Sequence, residues 1–207
     1  MGKDWTGNSG SVYGTLGASN HSEKEREEND YYATSPKAVE MLLEQETFAH
    51  DIWECAAGED HIANVLRKHG YDVLSTDIID RTGHTQVLDF LTTKSTPEKV
   101  FNGDIITNPP YKHAQEFVEH ALDLVCPGNK VAMYLKLTFL EGKKRQRLFN
   151  QRNLKTVYVM ACRMGCAKNG KFSNKEQQIE SSAVAYAWFI WEKGYNGYPT
   201  IKWINTK

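Results

Sequence analysis

Asp51-Ile52-Trp53-Glu54-Cys55-Ala56-Ala57-Gly58-Glu59-Asp60 is the stretch from which the fold can be read. Its first four residues make a short strand. Ala56, Ala57 and Gly58 then form a turn of small residues, where the backbone can come close to a ligand. Ile62, Val65 and Leu66 follow at helical spacing, and Gly70 ends that helix. Tyr71 to Thr76 reads as the next strand, capped by Asp77. Strand, small-residue turn, helix and strand make one βαβ unit. In a doubly wound sheet, ligands bind beyond the carboxyl ends of the strands, where the first strand turns into its helix.

The alternation continues in both directions. Upstream, Ser35-Pro36 reads as an N-cap with proline at the first helical position, opening a helix through Leu43. Downstream, Asp104 to Thr107 is a buried strand, and Phe117, Val118, Ala121, Leu122 and Val125 mark a helix. Lys130 to Leu137, Thr156 to Met160, Ala183 to Trp191 and Thr200 to Ile204 read as further strands. The aromatic run within Ala183 to Trp191 is expected to be sheet core. The two last strands have no long helix between them, only a turn region from Gly194 to Pro199. The pattern predicts an α/β, Rossmann-like, mainly parallel sheet with helices on both faces and an antiparallel C-terminal edge. One domain is expected over 30–207. Residues 1–29, rich in Gly, Ser and Asn and then charged, are expected to form a flexible arm.

A chain of 207 residues with 40% hydrophobic and 25% charged residues has the composition of a globular protein. The net charge of -1 gives no global attraction to nucleic acid or membrane, so any such contact needs a local basic patch. No apolar run approaches the roughly 20 residues of a membrane span, and a cytoplasmic location is expected. The four cysteines suit free thiols, and Cys162 and Cys166 have no second pair to complete a metal site, so no metal is expected. His61, His69, His84 and His120 suit surface or helix-end roles, while His113 follows the Asn108 to Tyr111 turn and is placed to line a pocket.

Two groups of residues carry chemistry. Asp77, with Ile78 beside it, ends the second strand, where a carboxylate can accept hydrogen bonds from both hydroxyls of a ribose. Asp89-Phe90 offers an acceptor and an aromatic ring near an adenine. The second group is Asn108-Pro109-Pro110-Tyr111, directly after a buried strand. An exocyclic amine on an aromatic ring is a poor nucleophile because its lone pair is delocalised. The Asn108 side-chain oxygen and the Pro109 carbonyl can accept from that amine and favour the tetrahedral nitrogen that presents its lone pair. Two prolines preorganise the acceptors. Tyr111 offers a flat face on which an extruded base can stack.

With these motifs the chain resembles the amino-group methyltransferases of the class I S-adenosylmethionine-dependent family, and among them the short adenine-N6 DNA methyltransferases of phages and prophages. The resemblance covers roughly Asp30 to Leu140. It implies S-adenosylmethionine as cofactor and nucleic acid, foremost DNA, as partner. In the family pattern, Tyr32-Ala33-Thr34-Ser35-Pro36 matches the motif that holds the methionine end of the cofactor, with Tyr32 and Thr34 as contacts. Glu54 to Asp60 matches the glycine-rich motif, with Glu54, Ala56, Ala57 and Gly58 around the cofactor. Asp77 matches the ribose acid, Asp89-Phe90 the adenine pair, and Asn108 to Tyr111 the catalytic turn, in which Asn108 also borders the cofactor. Two positions depart from the pattern: Cys55 replaces a proline and Asp60 a glycine. A side chain at Asp60 is expected to narrow the space for the cofactor.

Between Gly142 and Lys175 the chain carries many lysines and arginines and no acid. Lys143, Lys144, Arg145, Arg163, Lys168 and Lys171 are the candidates for a phosphate-backbone contact. The part from Cys162 to Asn174 reads as a mobile loop. Other substrates share the catalytic tetrapeptide, namely adenine N6 or guanine N2 in RNA and glutamine amides in proteins. A catalytically inactive cofactor-binding subunit is the non-enzymatic alternative.

Overall fold

The computed structural model describes residues 32–94, 100–150, 153–162, 164, 166–168 and 184–205. The arm expected over 1–29 lies outside them. An eight-stranded sheet is built from β2 (Asp51–Glu54), β3 (Asp72–Asp77), β4 (Gln86–Val87), β5 (Asp104–Thr107), β6 (Lys130–Lys136), β7 (Leu154–Met160), β9 (Tyr186–Glu192) and β10 (Thr200–Ile204). Their order across the sheet is β10-β7-β9-β6-β5-β2-β3-β4. β1 (Tyr32–Thr34) and β8 (Cys166–Lys168) form a separate antiparallel ribbon, so part of the stretch expected to be a loop is a strand.

Four helices flank the sheet: α1 (Pro36–Leu43), α2 (His61–Lys68), α3 (Ala114–Leu124) and α4 (Gln146–Asn150). Successive strand residues point to opposite faces. Ile106, Tyr134 and Trp188 therefore pack with Leu42 of α1 and Leu66 of α2, whereas Ile105, Met133 and Phe189 pack with Val118 of α3 and Leu148 of α4. Helices cover both faces, and the aromatic strand β9 is core throughout from Tyr186 to Trp191.

The antiparallel strand is C-terminal but does not form the edge. β9 runs antiparallel to both β6 and β7 and lies between them, while the edge strand β10 pairs parallel with β7 from Thr200↔Thr156 to Ile204↔Met160. Burial explains the order. A strand buried at six consecutive positions needs a neighbour on each side, and β10, exposed at four of five positions, can tolerate an open edge. The connection between them has only to step across one strand, about 10 Å for two strand spacings.

At the start of α1, Ser35 sits in the N-cap position with Pro36 next, but its side chain makes no capping bond. Its hydroxyl is buried without a partner among the described residues. The fixed φ of proline and the bond from Ala38 N to Ser35 O, 2.9 Å, set the entry instead.

Candidate active site

β2, β3 and β5 end at one side of the sheet, and a cavity of about 360 Å³ opens there. That volume lies in the range of small-molecule sites. The cavity gathers the ends of all three strands: Glu54 from β2, Asp77 from β3 with Ile78 just after it, and Asn108 and Pro110 after β5. Tyr32 and Thr34 of β1 close it from above, Ala56 and Ala57 form its turn, and Asp89 and Phe90 complete the wall.

The glycine-rich turn is held from β3. Gly58 has φ 56°, a left-handed conformation suited to glycine. Its N–H donates to Asp77 Oδ2 at 2.9 Å, and Ala57 N donates to Thr76 O at 3.0 Å. Gly58 thus supports the site from behind and is not part of the lining. Asp77 Oδ1 accepts from Ile79 N at 3.0 Å and from Arg81 Nη1 at 3.2 Å. A carboxylate has about four acceptor directions, which leaves Asp77 close to one for a ligand unless Arg81 moves.

Glu54 is 1% exposed and accepts from Ala63 N at 2.7 Å. Burial, and then the nearby Asp60, push its carboxyl well above the ordinary carboxylate range. The same burial and the neighbouring Glu54 raise the Cys55 thiol, which makes it an inert filler.

Asp60 corrects the expectation of a narrowed pocket. It takes the glycine-like conformation, φ 62°, but its side chain turns away from the cavity. Oδ2 pairs with Arg67 Nη1 at 2.8 Å, and His84 Nε2 lies 3.4 Å away. A short acidic side chain tolerates this backbone region, and the exposed Arg67 guanidinium gives the buried carboxylate a partner outside the ligand space.

Phe90 is less available than the sequence suggests. It is 1% exposed, its ring meeting Trp53 edge-on at 5.3 Å and Phe117 at 5.0 Å. It serves as a packed wall and not as an open stacking face. Asp89 is exposed, and its Oδ1 accepts from Leu91 N at 3.1 Å.

At the Asn108 to Tyr111 turn, Asn108 Nδ2 donates to Tyr32 O at 2.8 Å. A carbonyl must face the NH₂ arm, so this bond fixes the amide and sets its oxygen on the opposite arm. Pro109 is buried beneath the turn, and Pro110 O accepts from His113 N at 2.9 Å. Tyr111 lies outside the cavity lining, its ring 5.4 Å from Tyr32 and tilted 33°. Its hydroxyl donates to that of Tyr186 at 3.2 Å.

The sequence reading missed His61, Ile62, Arg81, Leu91 and Phe117 on the cavity wall. His61 is the first residue of α2 and Arg81 stands four residues after Asp77, so each had a positional signal next to a named motif. Burial lowers the His61 imidazole below its usual range. His113 lines the cavity.

The basic segment divides. Lys143 and Lys144 are exposed. Arg145 turns inward: Nε donates to Phe139 O at 2.8 Å, Nη2 to the carbonyls of Thr138 and Glu141, and the guanidinium covers the Phe139 ring at 4.9 Å. Nε and Nη2 are thus engaged by its own loop. Arg163 and Lys171 lie outside the described residues, and Lys168 is placed only as the strand partner of Tyr32. Among the described residues, no group of three or more His, Cys, Asp or Glu could hold a metal ion, and no helix is long and apolar enough to cross a membrane.

No family model and no curated protein matches the chain. Solved structures do. A Listeria monocytogenes protein designated a class I S-adenosylmethionine-dependent methyltransferase superposes with TM-score 0.55 at 12% identity, covering 95% of this chain and 71% of that one. A modification subunit designated as part of a type I restriction enzyme from Vibrio vulnificus gives TM-score 0.59 at 11% identity, over 94% and 50%. A Pyrococcus horikoshii protein designated an RNA methyltransferase gives 0.52 at 12%, over 86% and 96%. The fold is that of the class I methyltransferases. The chain spans half the length of the Vibrio subunit.

Proposed function

We propose that the protein is an S-adenosylmethionine-dependent N-methyltransferase acting on the exocyclic N6 amine of adenine in DNA. One observation carries this reading: a single cavity joins buried acids at the ends of β2 and β3 to an asparagine whose amide nitrogen is already held. The wall suits a cationic adenosine ligand. Asp77 retains acceptor capacity for a ribose hydroxyl, and Glu54 can ionise beside a positive charge. Thr34 is 2% exposed, lines the cavity, and its hydroxyl has no hydrogen-bond partner among the described residues, which suits a ligand's polar end.

Bound in this cavity, S-adenosylmethionine supplies an electrophilic methyl group on a sulfonium. The acceptor side is the work of the chain. Asn108 Oδ1 and the Pro109 carbonyl accept from the N6 amine and turn its lone pair toward the methyl carbon. With the cofactor bound, the amine would take the methyl group as the carbon–sulfur bond breaks, and once acidified it would give its proton to solvent without a strong base. Tyr111 receives the face of the extruded base. Catalysis on this account is positioning and preorganised hydrogen bonding.

The Pyrococcus neighbour carries an RNA designation, so the test must offer both polymers. Labelled cofactor is incubated with duplex DNA, single-stranded DNA and RNA, and the polymers are digested to nucleosides. The proposal expects N6-methyladenine in DNA. Label found only in RNA, or on guanine, would overturn the acceptor assignment. Cofactor product bound without any transfer would favour a non-catalytic subunit.

A further inference from the structure

We infer that Lys136 is a phosphate clamp for the acceptor nucleotide, held on the face of Tyr111 until a base takes its place. This rests on the reading of Tyr111 as the platform for the extruded base. Lys136 ends β6, the strand beside β5, and its cross-strand partner on β9 is Tyr186. Its ammonium lies 4.5 Å over the Tyr111 ring. No carboxylate among the described residues pairs with it.

Among the described residues, Tyr186, Tyr32 and Lys136 bear on that ring. Tyr186 is 6% exposed within the sheet and shares a hydroxyl contact with Tyr111 at 3.2 Å. Tyr32 belongs to the β1–β8 ribbon, and its carbonyl holds Asn108. Of these, Lys136 is the long, half-buried chain that can leave without breaking a strand or a hydrogen bond of the Asn108 to Tyr111 turn. A stacked base needs contact at about 3.5–4 Å, space that the ammonium now occupies. A base stacking on that face must therefore displace it. The base brings its own anion, because the phosphodiesters of the extruded nucleotide are joined to it through one sugar. A lysine ammonium released from a weak ring contact next to a phosphate will bind it as a point charge. Base entry and phosphate capture thus become one exchange.

The test uses the full chain and an adenine-containing duplex, with labelled S-adenosylmethionine for turnover and the cofactor product for binding. Lys136→Gln is expected to raise KM for DNA on the order of tenfold, the loss of one charge-assisted contact, with kcat within about twofold. The slope of log affinity against log salt should fall by about one, and Lys136→Arg should restore it. Affinity for the cofactor product, measured by calorimetry, should not change. If the wild type methylates adenine while Lys136→Gln keeps its KM and salt slope, the clamp is overturned and the proposed function stands. A variant whose loss lies wholly in kcat also overturns it. A wild type that neither binds nor methylates nucleic acid overturns the function, and the clamp with it.

Discussion

The two sides of the cavity are built differently. At the ends of β2 and β3, Asp77 receives bonds from Gly58, Ile79 and Arg81, and Glu54 receives one from Ala63, so each acid also holds its own fold together. After the end of β5, the Asn108 amide donates to the carbonyl of Tyr32 on β1, and Tyr111 is covered by side chains, one of them a lysine. The first side is fixed before any ligand arrives. The second is held in place but can be exchanged. Substitutions on the first side should therefore change stability and binding together, and those on the second should change turnover or polymer binding alone.

The largest effect on the fixed side is expected from Asp77→Asn. It weakens charge-assisted bonds to the glycine turn and to a ligand hydroxyl, each worth roughly 1.5–3 kcal/mol. Calorimetry should show at least about tenfold weaker binding of the cofactor product, together with a lower melting temperature. Weaker binding with an unchanged melting temperature would erase the contrast between the two sides.

Glu54→Gln sharpens it through pH. The raised carboxyl means that the folded state keeps a proton that the unfolded chain releases. Stability is then lost as pH rises above the ordinary carboxylate value. The glutamine keeps an acceptor for Ala63 N and removes the buried acid. Its melting temperature should exceed that of the wild type by an amount that grows with pH, roughly 2–4 °C for each kcal/mol. Parallel pH profiles for the two proteins would mean that the carboxyl is ionised at no cost.

The smallest effect belongs to the exposed pair. Reversing Lys143 and Lys144 to glutamate should leave melting and cofactor affinity unchanged and reduce the salt slope of DNA binding by about two. An unchanged slope would place the polymer on another face of the molecule.

Much of this was legible in the residues. The strands at Asp51–Glu54 and Asp104–Thr107 and the helix at Pro36–Leu43 stand where the pattern puts them, because apolar spacing and proline act locally. Asp77, Asp89 and Asn108 share one cavity because strand ends in a parallel sheet converge. Sheet order was not legible. Nothing local tells β9 to enter between β6 and β7, since that choice depends on which strand can bear an open edge. Three-residue strands such as β1 and β8 are too short to show a period. Arg145 and Asp60 show one shared limit. Composition records a charge or a side chain but not its direction, and both point into their own structure.

The central claim is that Asn108 works on the acceptor nitrogen and on nothing else. Asn108→Ala, assayed with labelled cofactor on adenine-containing DNA, should lose methyl transfer while affinity for the cofactor product stays within about twofold and the melting temperature is nearly unchanged. The loss belongs in kcat because the interaction strengthens in the transition state. Transfer of methyl to N6 at the wild-type rate by Asn108→Ala would contradict the account.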